Sequence, residues 1–227
     1  MVSYQGEQTG VRIPTPSNRV IPVTGIILAG GKSRRMAGVN KALLHVGQEP
    51  IIERVRNVVA KALPKTILIT NSPDDFAFLG LPMFPDIIPN AGSLGGLYTG
   101  LYHCQTQFGF LVACDMPFLN PLIIQGMTDL VDDYDVVIPC IDSRLEPLHA
   151  IYSKTCIPFV QDLLRQGNLR ILDLYDLVKV RRVTEEFLKR FDPEFQFAMN
   201  VNSPADLKKA VRIAAARNGM ARLPDGV

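Results

Sequence analysis

Residues 25–36 read GIILAGGKSRRM: an apolar run ends at Leu28, the small residues Ala29, Gly30 and Gly31 follow, and Lys32, Arg34 and Arg35 come next. Small residues at the end of a strand let the backbone turn tightly, with its N–H groups facing an anion at close range. Lys41 brings a further positive charge close by. The chemistry this suggests is phosphate binding, although a plain strand-to-helix turn with solvated basic residues would use the same residue types. The stretch does not fit the phosphate loop G-x-x-x-x-G-K-[ST], because five residues separate Gly25 from Gly31 and three of them, Ile26, Ile27 and Leu28, belong inside a strand. A G-x-G-x-x-G dinucleotide turn is absent. A second feature is Asp115, which follows the apolar run FLVAC (110–114) and precedes Met116-Pro117, where the chain must turn. A carboxylate at a strand end can hold a divalent cation between phosphate oxygens, or it can simply cap the turn.

Strand ends meet only in a sheet. GIIL (25–28), TILIT (66–70), FLVAC (110–114), DVVIP (135–139) and HAIY (149–152) read as strands, VKVRRV (178–183) as an edge strand, and FAMNV (197–201) as the strand that closes the sheet. Helices are expected from Ile51 to Leu63, from Leu94 to Gln107, from Asn120 to Val131 with Pro121 in its first position, from Lys154 to Arg165, from Asn168 to Leu177, and from Ser203-Pro204 to about Arg217. This alternation predicts an α/β, Rossmann-like fold, a mostly parallel sheet with helices on both faces. Residues 1–22, with Pro14, Pro16 and Pro22, read as a flexible tail, 23–218 as a single domain, and 219–227 as a flexible C-terminus.

Composition narrows the function classes. The 227 residues suffice for a full core, and 47% hydrophobic with 20% charged residues is usual for a globular protein. A net charge of +2 without like-charged blocks gives no footprint for nucleic acid. No apolar run reaches membrane-spanning length, and the N-terminus lacks the pattern of a signal peptide. Cys104, Cys114, Cys140 and Cys156 form no CxxC pair, which points away from zinc and disulfide frameworks and toward the cytoplasm.

LAGGKSRRM followed by Lys41 resembles the nucleotidyltransferase signature G-G-x-S-x-R-M-G…K, and more narrowly the molybdenum cofactor guanylyltransferase family of the MobA type. Further matches follow in order: Asn71 after a strand, Pro85-Asp86 with GSLGGL (92–97), CDMPF (114–118), EPLHAIY (146–152) and NVNSPADL (200–207). Together they run from about Val23 to Val211. Asn40 stands where the family often has Asp, Ala37 and Ser93 where Gly and Pro are common, and Gly95 where Ala is common.

The resemblance implies the fold of nucleotide-diphospho-sugar transferases. It also implies transfer of GMP from GTP to the terminal phosphate of molybdopterin, with release of pyrophosphate. GTP and molybdopterin would be the substrates and Mg²⁺ the cofactor, with room for proteins that deliver molybdopterin. The implied catalytic residues are Arg35, Lys41 and Asp115, with Asp115 on the metal. Leu28, Ala29, Gly30, Gly31, Lys41, Asn71, Asp86, Gly95 and Asp115 would bind nucleotide, with Asn71 and Asp86 sharing base and ribose. Glu146, His149, Asn200 and Asn202 would face the acceptor. His149 lies in an apolar strand, where histidine is more often a core residue. A cytidylyl or sugar-phosphate nucleotidyltransferase of the same fold, or a non-catalytic nucleotide-binding protein, would share much of this pattern.

Overall fold

The computed structural model describes residues 21–30, 35–36 and 39–220. Most of the expected tail over 1–22, the end beyond Met220 and the loop residue Gly31 lie outside the described residues. In chain order, β1 (Val23–Leu28) is followed by two short hairpins, β2 (Arg35–Met36) with β3 (Val39–Asn40) and β4 (His45–Val46) with β5 (Glu49–Pro50). Helix α1 (Ile51–Ala62), β6 (Lys65–Ile69), β7 (Met83–Phe84), α2 (Gly92–His103), β8 (Phe108–Ala113) and α3 (Pro121–Thr128) come next. The second half holds β9 (Val136–Ile141), β10 (Arg144–Leu145), β11 (His149–Ser153), α4 (Ile157–Arg165), β12 (Val180–Val183), α5 (Glu185–Lys189) and α6 (Pro204–Met220).

The main sheet runs β10-β9-β11-β8-β1-β6-β7, with β12 parallel to β9. It is mixed but mostly parallel: β7, β6, β1 and β8 run parallel, and β11 lies antiparallel between β8 and β9. Successive side chains of a strand face opposite sides of the sheet. Ile27 and Leu68 therefore join one core with Ile51, Val55 and Val59 of α1 and with Ile123 and Met127 of α3. Ile26, Ile67 and Ile69 join the other with Leu94, Leu97 and Leu101 of α2 and with Val160 and Leu163 of α4. Both faces are covered, as the near-continuous apolar strands require. Among the described residues no helix is long and apolar enough to cross a membrane.

Helix α2 lies unusually close to β1. A Cβ on Gly96 would sit 3.0 Å from the Leu28 methyls, and one on Gly100 would sit 2.4 Å from Cγ2 of Ile26. Each glycine costs roughly 1 kcal/mol of helix propensity against alanine. Here that cost is offset by seating the helix directly on the strand that ends at the small-residue turn.

Two expected helices are shorter, α3 ending at Thr128 and α4 preceded by a 3-10 turn over Lys154–Cys156, and three departures go further. FAMNV forms no strand: Phe195 is left-handed at φ 53°, and a 3-10 turn covers Gln196–Ala198. The cause is Asp192, whose carboxylate accepts from Phe197 N at 2.7 Å and curls the chain. The helix expected over 168–177 shortens to a 3-10 turn at Ile171–Asp176, entered through left-handed Gly167 and held by Asn168, which accepts from Arg170 N and donates to Asp173. Helix α2 starts two residues earlier than expected and stops at His103, because Cys104 is extended.

Candidate functional site

Register decides what meets what. Leu28 of β1 pairs with Ile69 of β6 on one side and with Ala113 of β8 on the other. Three parallel strands thus end level, and the residues that follow leave the sheet side by side: Ala29-Gly30, Thr70-Asn71 and Cys114-Asp115. Ala29 N donates to Ile69 O at 2.9 Å and Cys114 N to Leu28 O at 3.1 Å, locking the three exits together. The chain leaves β1 toward β6 and later returns to β8 on its opposite side, so the crevice at these carboxyl ends is a topological switch point, where open α/β sheets bind ligands.

A cleft of about 530 Å³ opens there. Leu28, Gly30, Ile69 and Ala113 form its floor, Asn71, Asp86, Asn90, Gly92, Ser93 and Gly96 one side, and Asn40, Lys41, Cys114, Asp115, Leu148 and Asn202 the other. That volume suits a small ligand. Asn71 and Asp86 clasp each other across two loops: Asn71 Nδ2 donates to Asp86 Oδ2 at 2.7 Å, and Asp86 N donates to Asn71 Oδ1 at 2.9 Å. Lys41 opens a short 3-10 turn, Lys41–Leu43, capped by Asn40, which accepts from Ala42 N at 3.2 Å. Lys41 Nζ donates to Asn202 Oδ1 at 3.3 Å. Burial pushes the Asp115 carboxyl above its ordinary range, against the opposing pull of its own backbone N–H and of Lys41. The turn after Asp115 is braced twice, by Val201 N donating to Asp115 O at 2.9 Å and by Arg54 Nε donating to Pro117 O at 3.2 Å.

Residues 25–180 match the MobA-like NTP transferase domain. The chain belongs to this family. It is 41% identical to a probable molybdenum cofactor guanylyltransferase of Pelotomaculum thermopropionicum, over 84% of this chain and 93% of that one. It is 35% identical to a molybdenum cofactor guanylyltransferase of Desulfosudis oleivorans, over 83% and 94%. Its fold is similar to the crystal structure of molybdopterin-guanine dinucleotide biosynthesis protein A from Archaeoglobus fulgidus, with a TM-score of 0.74, 26% identity, and coverage of 86% of this chain and 100% of that one. As a member of the MobA-like family, the protein is a nucleotidyltransferase.

Within this MobA-like frame the sequence candidates divide. Leu28, Gly30, Lys41, Asn71, Asp86, Asp115 and Asn202 share the one cleft. Ala29 does not line the cleft: it is fully buried and its N–H is bonded to Ile69 O. Gly95 faces away, and a Cβ there would meet Ala91 Cβ at 2.4 Å. Arg35 lies in β2 opposite Asn40; its side chain and all of Gly31 fall outside the described residues. Glu146 lines a separate groove of about 660 Å³ with Arg144, Glu194, Met199 and Lys209. Burial raises its carboxyl, and Arg144 pulls the other way. Asn200 and Asn202 share no strand face, because no strand forms there; Asn200 donates to Ala198 O at 3.0 Å. Asn90, left-handed at φ 63°, lines the cleft although it is no candidate in the sequence, and so does Ser93, which the sequence marks only as a departure from the family pattern. An Asn two residues before a glycine was the available signal for Asn90.

His149 reaches neither the cleft nor the groove. Its ring is fully buried, 4.9 Å from Phe110 and 4.7 Å from Phe197 between centroids. Burial lowers its pKa from 6.5 to about 3. The unfolded chain therefore binds a proton near pH 6.5 that the folded chain refuses until about pH 3, so stability is lost as pH falls through that window. The expected cost between pH 7 and pH 5 is roughly 2 kcal/mol. His149→Phe should flatten this acid limb in denaturant titrations and leave nucleotide affinity unchanged. A fall in affinity without a change in the acid limb would contradict this placement.

Proposed function

We propose that the protein transfers GMP from GTP to the terminal phosphate of molybdopterin, forming the guanine dinucleotide and pyrophosphate. The observation that carries this reading is the convergence, in one cleft of a MobA-like fold, of a small-residue strand end, Lys41 and Asp115 on one side with the Asn71–Asp86 clasp on the other. The names of the relatives support the choice of base and acceptor.

The nucleoside lies over Leu28-Ala29-Gly30, with its base toward Asp86. A carboxylate offers about four lone-pair positions, and Asn71 occupies one of them, so Asp86 can still accept from N1–H and the exocyclic amine of guanine. Lys41 meets the triphosphate as a point charge. The residues also fit a divalent ion. Two carboxylates line the cleft; with Asp86 turned to the base in this reading, Asp115 at the end of β8 is the ligand for the ion. Among the described residues no three His, Cys, Asp or Glu side chains converge, so phosphate oxygens and water would supply the remaining ligands. Asp115 would hold the ion, which when bound would supply positive charge to offset the charge that develops on the departing pyrophosphate.

No general base is required. A phosphomonoester loses its second proton at a pKa of about 6, so the acceptor's oxygen is already a nucleophile near neutral pH. It forms the new bond to the α-phosphorus as the bond to the β-phosphate oxygen breaks, and the electron pair leaves with pyrophosphate. The protein's share is positioning and charge stabilisation. Asn202, Asn200 and Glu146 are the acceptor-side candidates.

The test is incubation of purified protein with molybdopterin, Mg²⁺ and each nucleoside triphosphate in turn, following pyrophosphate release. GTP alone should support turnover, and a chelator should abolish it. Turnover with CTP but not GTP would move the protein to cytidylyl transfer, and no turnover with any nucleotide would remove the reading.

A further inference from the structure

The stretch Pro85–Asn90, which carries Asp86, has no buried side chain; the first buried residue after it is Ala91, next to α2. Pro85, Ile87, Ile88, Pro89 and Asn90 are all exposed, and Asp86 is half-buried. Apolar packing within that stretch therefore does little to fix where the carboxylate sits. Helix α2 beside it is the opposite case, seated on β1 through the close approaches of Gly96 to Leu28 and Gly100 to Ile26.

Thr99 joins the two. It is fully buried on α2, and its hydroxyl makes two hydrogen bonds. It donates to Gly95 O, one turn earlier, at 2.9 Å. That bond is ordinary for a helical threonine. It also accepts from Ile87 N at 3.0 Å, a bond between the helix and the loop at the residue after Asp86. The two bonds use the hydroxyl's donor and one of its acceptor positions. Asp86 is then held from both flanks, by Asn71 through its carboxylate and backbone N–H and by Thr99 through the next peptide.

We infer that Thr99 is a positioning residue for base selection: its hydroxyl ties the Asp86 loop to helix α2 and so sets where the carboxylate meets the edge of the base. The inference rests on the reading of Asp86 given above. Thr99→Val keeps the shape and removes both bonds. The carboxylate then loses its fixed height above the Leu28–Gly30 floor, and a ligand that depends on two aligned bonds to Asp86 suffers more than one that makes a single bond.

The experiment is equilibrium titration of the full chain with GTP and with ITP, which lacks the exocyclic amine, in the presence of Mg²⁺. For Thr99→Val the Kd for GTP should rise about 5- to 10-fold, the scale of one lost hydrogen bond, and the preference for GTP over ITP should shrink by a similar factor. Thr99→Ser, which keeps the hydroxyl, should lie within about twofold of the parent protein in both readouts. Should Thr99→Val fail to fold by circular dichroism, Thr99→Ala takes its place and must show the same two changes. Parental affinity and preference in the hydroxyl-free variant would overturn the inference, as would a Thr99→Ser variant as impaired as Thr99→Val. Asp86→Asn in the same series separates the two levels. If it leaves the GTP preference intact, the reading of Asp86 fails and this inference with it; if it abolishes the preference while Thr99→Val does not, the inference alone fails.

Discussion

Asp115→Asn is expected to cut nucleotidyl transfer by about 10²-fold or more, on the scale of removing one electrostatic stabiliser, while the nucleotide-free protein melts no lower than the parent. The first half follows from chemistry. Asn keeps the shape at the end of β8 but supplies no negative charge for a cation shared with phosphate. The second half follows from burial, which raises the Asp115 carboxyl above its ordinary value of 3.8. Between 3.8 and the raised folded value, the folded chain holds a proton that the unfolded chain has released. Stability therefore falls as pH rises through that window, and at neutral pH the ionised side chain is a net cost. Asn removes the cost together with the function, a trade found where a site holds a group against its folding preference. Pyrophosphate release and a thermal melt on the same sample check both halves. Full activity would end the metal role of Asp115. A large fall in melting temperature would assign the residue to the turn before Met116-Pro117.

Some of this site was legible in the sequence, and some was not, for physical reasons. The short apolar runs FLVAC and GIIL read as buried strands, and in the sheet Asp115 and Gly30, just beyond them, lie at the carboxyl ends of two central strands. The position of Asp115 and of the Gly30 turn is therefore legible from the sequence. The two-residue strands β2 to β5 and β7 have no periodicity to read. FAMNV shows the converse error: Phe197, Met199 and Val201 alternate as a strand does, yet one carboxylate five residues upstream bends the chain into a turn. His149 sits in a strand whose residues are all buried, where alternation cannot say which way a ring points. Thr99 had no signal at all. The Gly95–Thr99 spacing tells only of a helical back-bond, and the bond that matters comes from Ile87, an exposed loop residue with no pattern to mark it.

Lys41→Ala should weaken GTP binding by about tenfold or more with little change in melting temperature. The lysine's described contact, to Asn202, is exposed, and exposed polar contacts of this kind are worth only about 0–1 kcal/mol to the fold. Its charge matters elsewhere. Lys41 helps hold the Asp115 carboxyl down against burial, so removing it lets that carboxyl rise further. Where activity needs the ionised carboxylate, the acid limb of the pH–rate profile must move to higher pH in Lys41→Ala. Lys41→Arg keeps the charge, so it should return the acid limb toward its parental position even if the bulkier guanidinium restores affinity only in part. The two readouts separate a ligand contact from a field effect: loss of affinity reports the triphosphate, and the moving limb reports Asp115. A variant that melts far lower, binds GTP normally and keeps its acid limb would make Lys41 a structural residue of the 3-10 turn and nothing more.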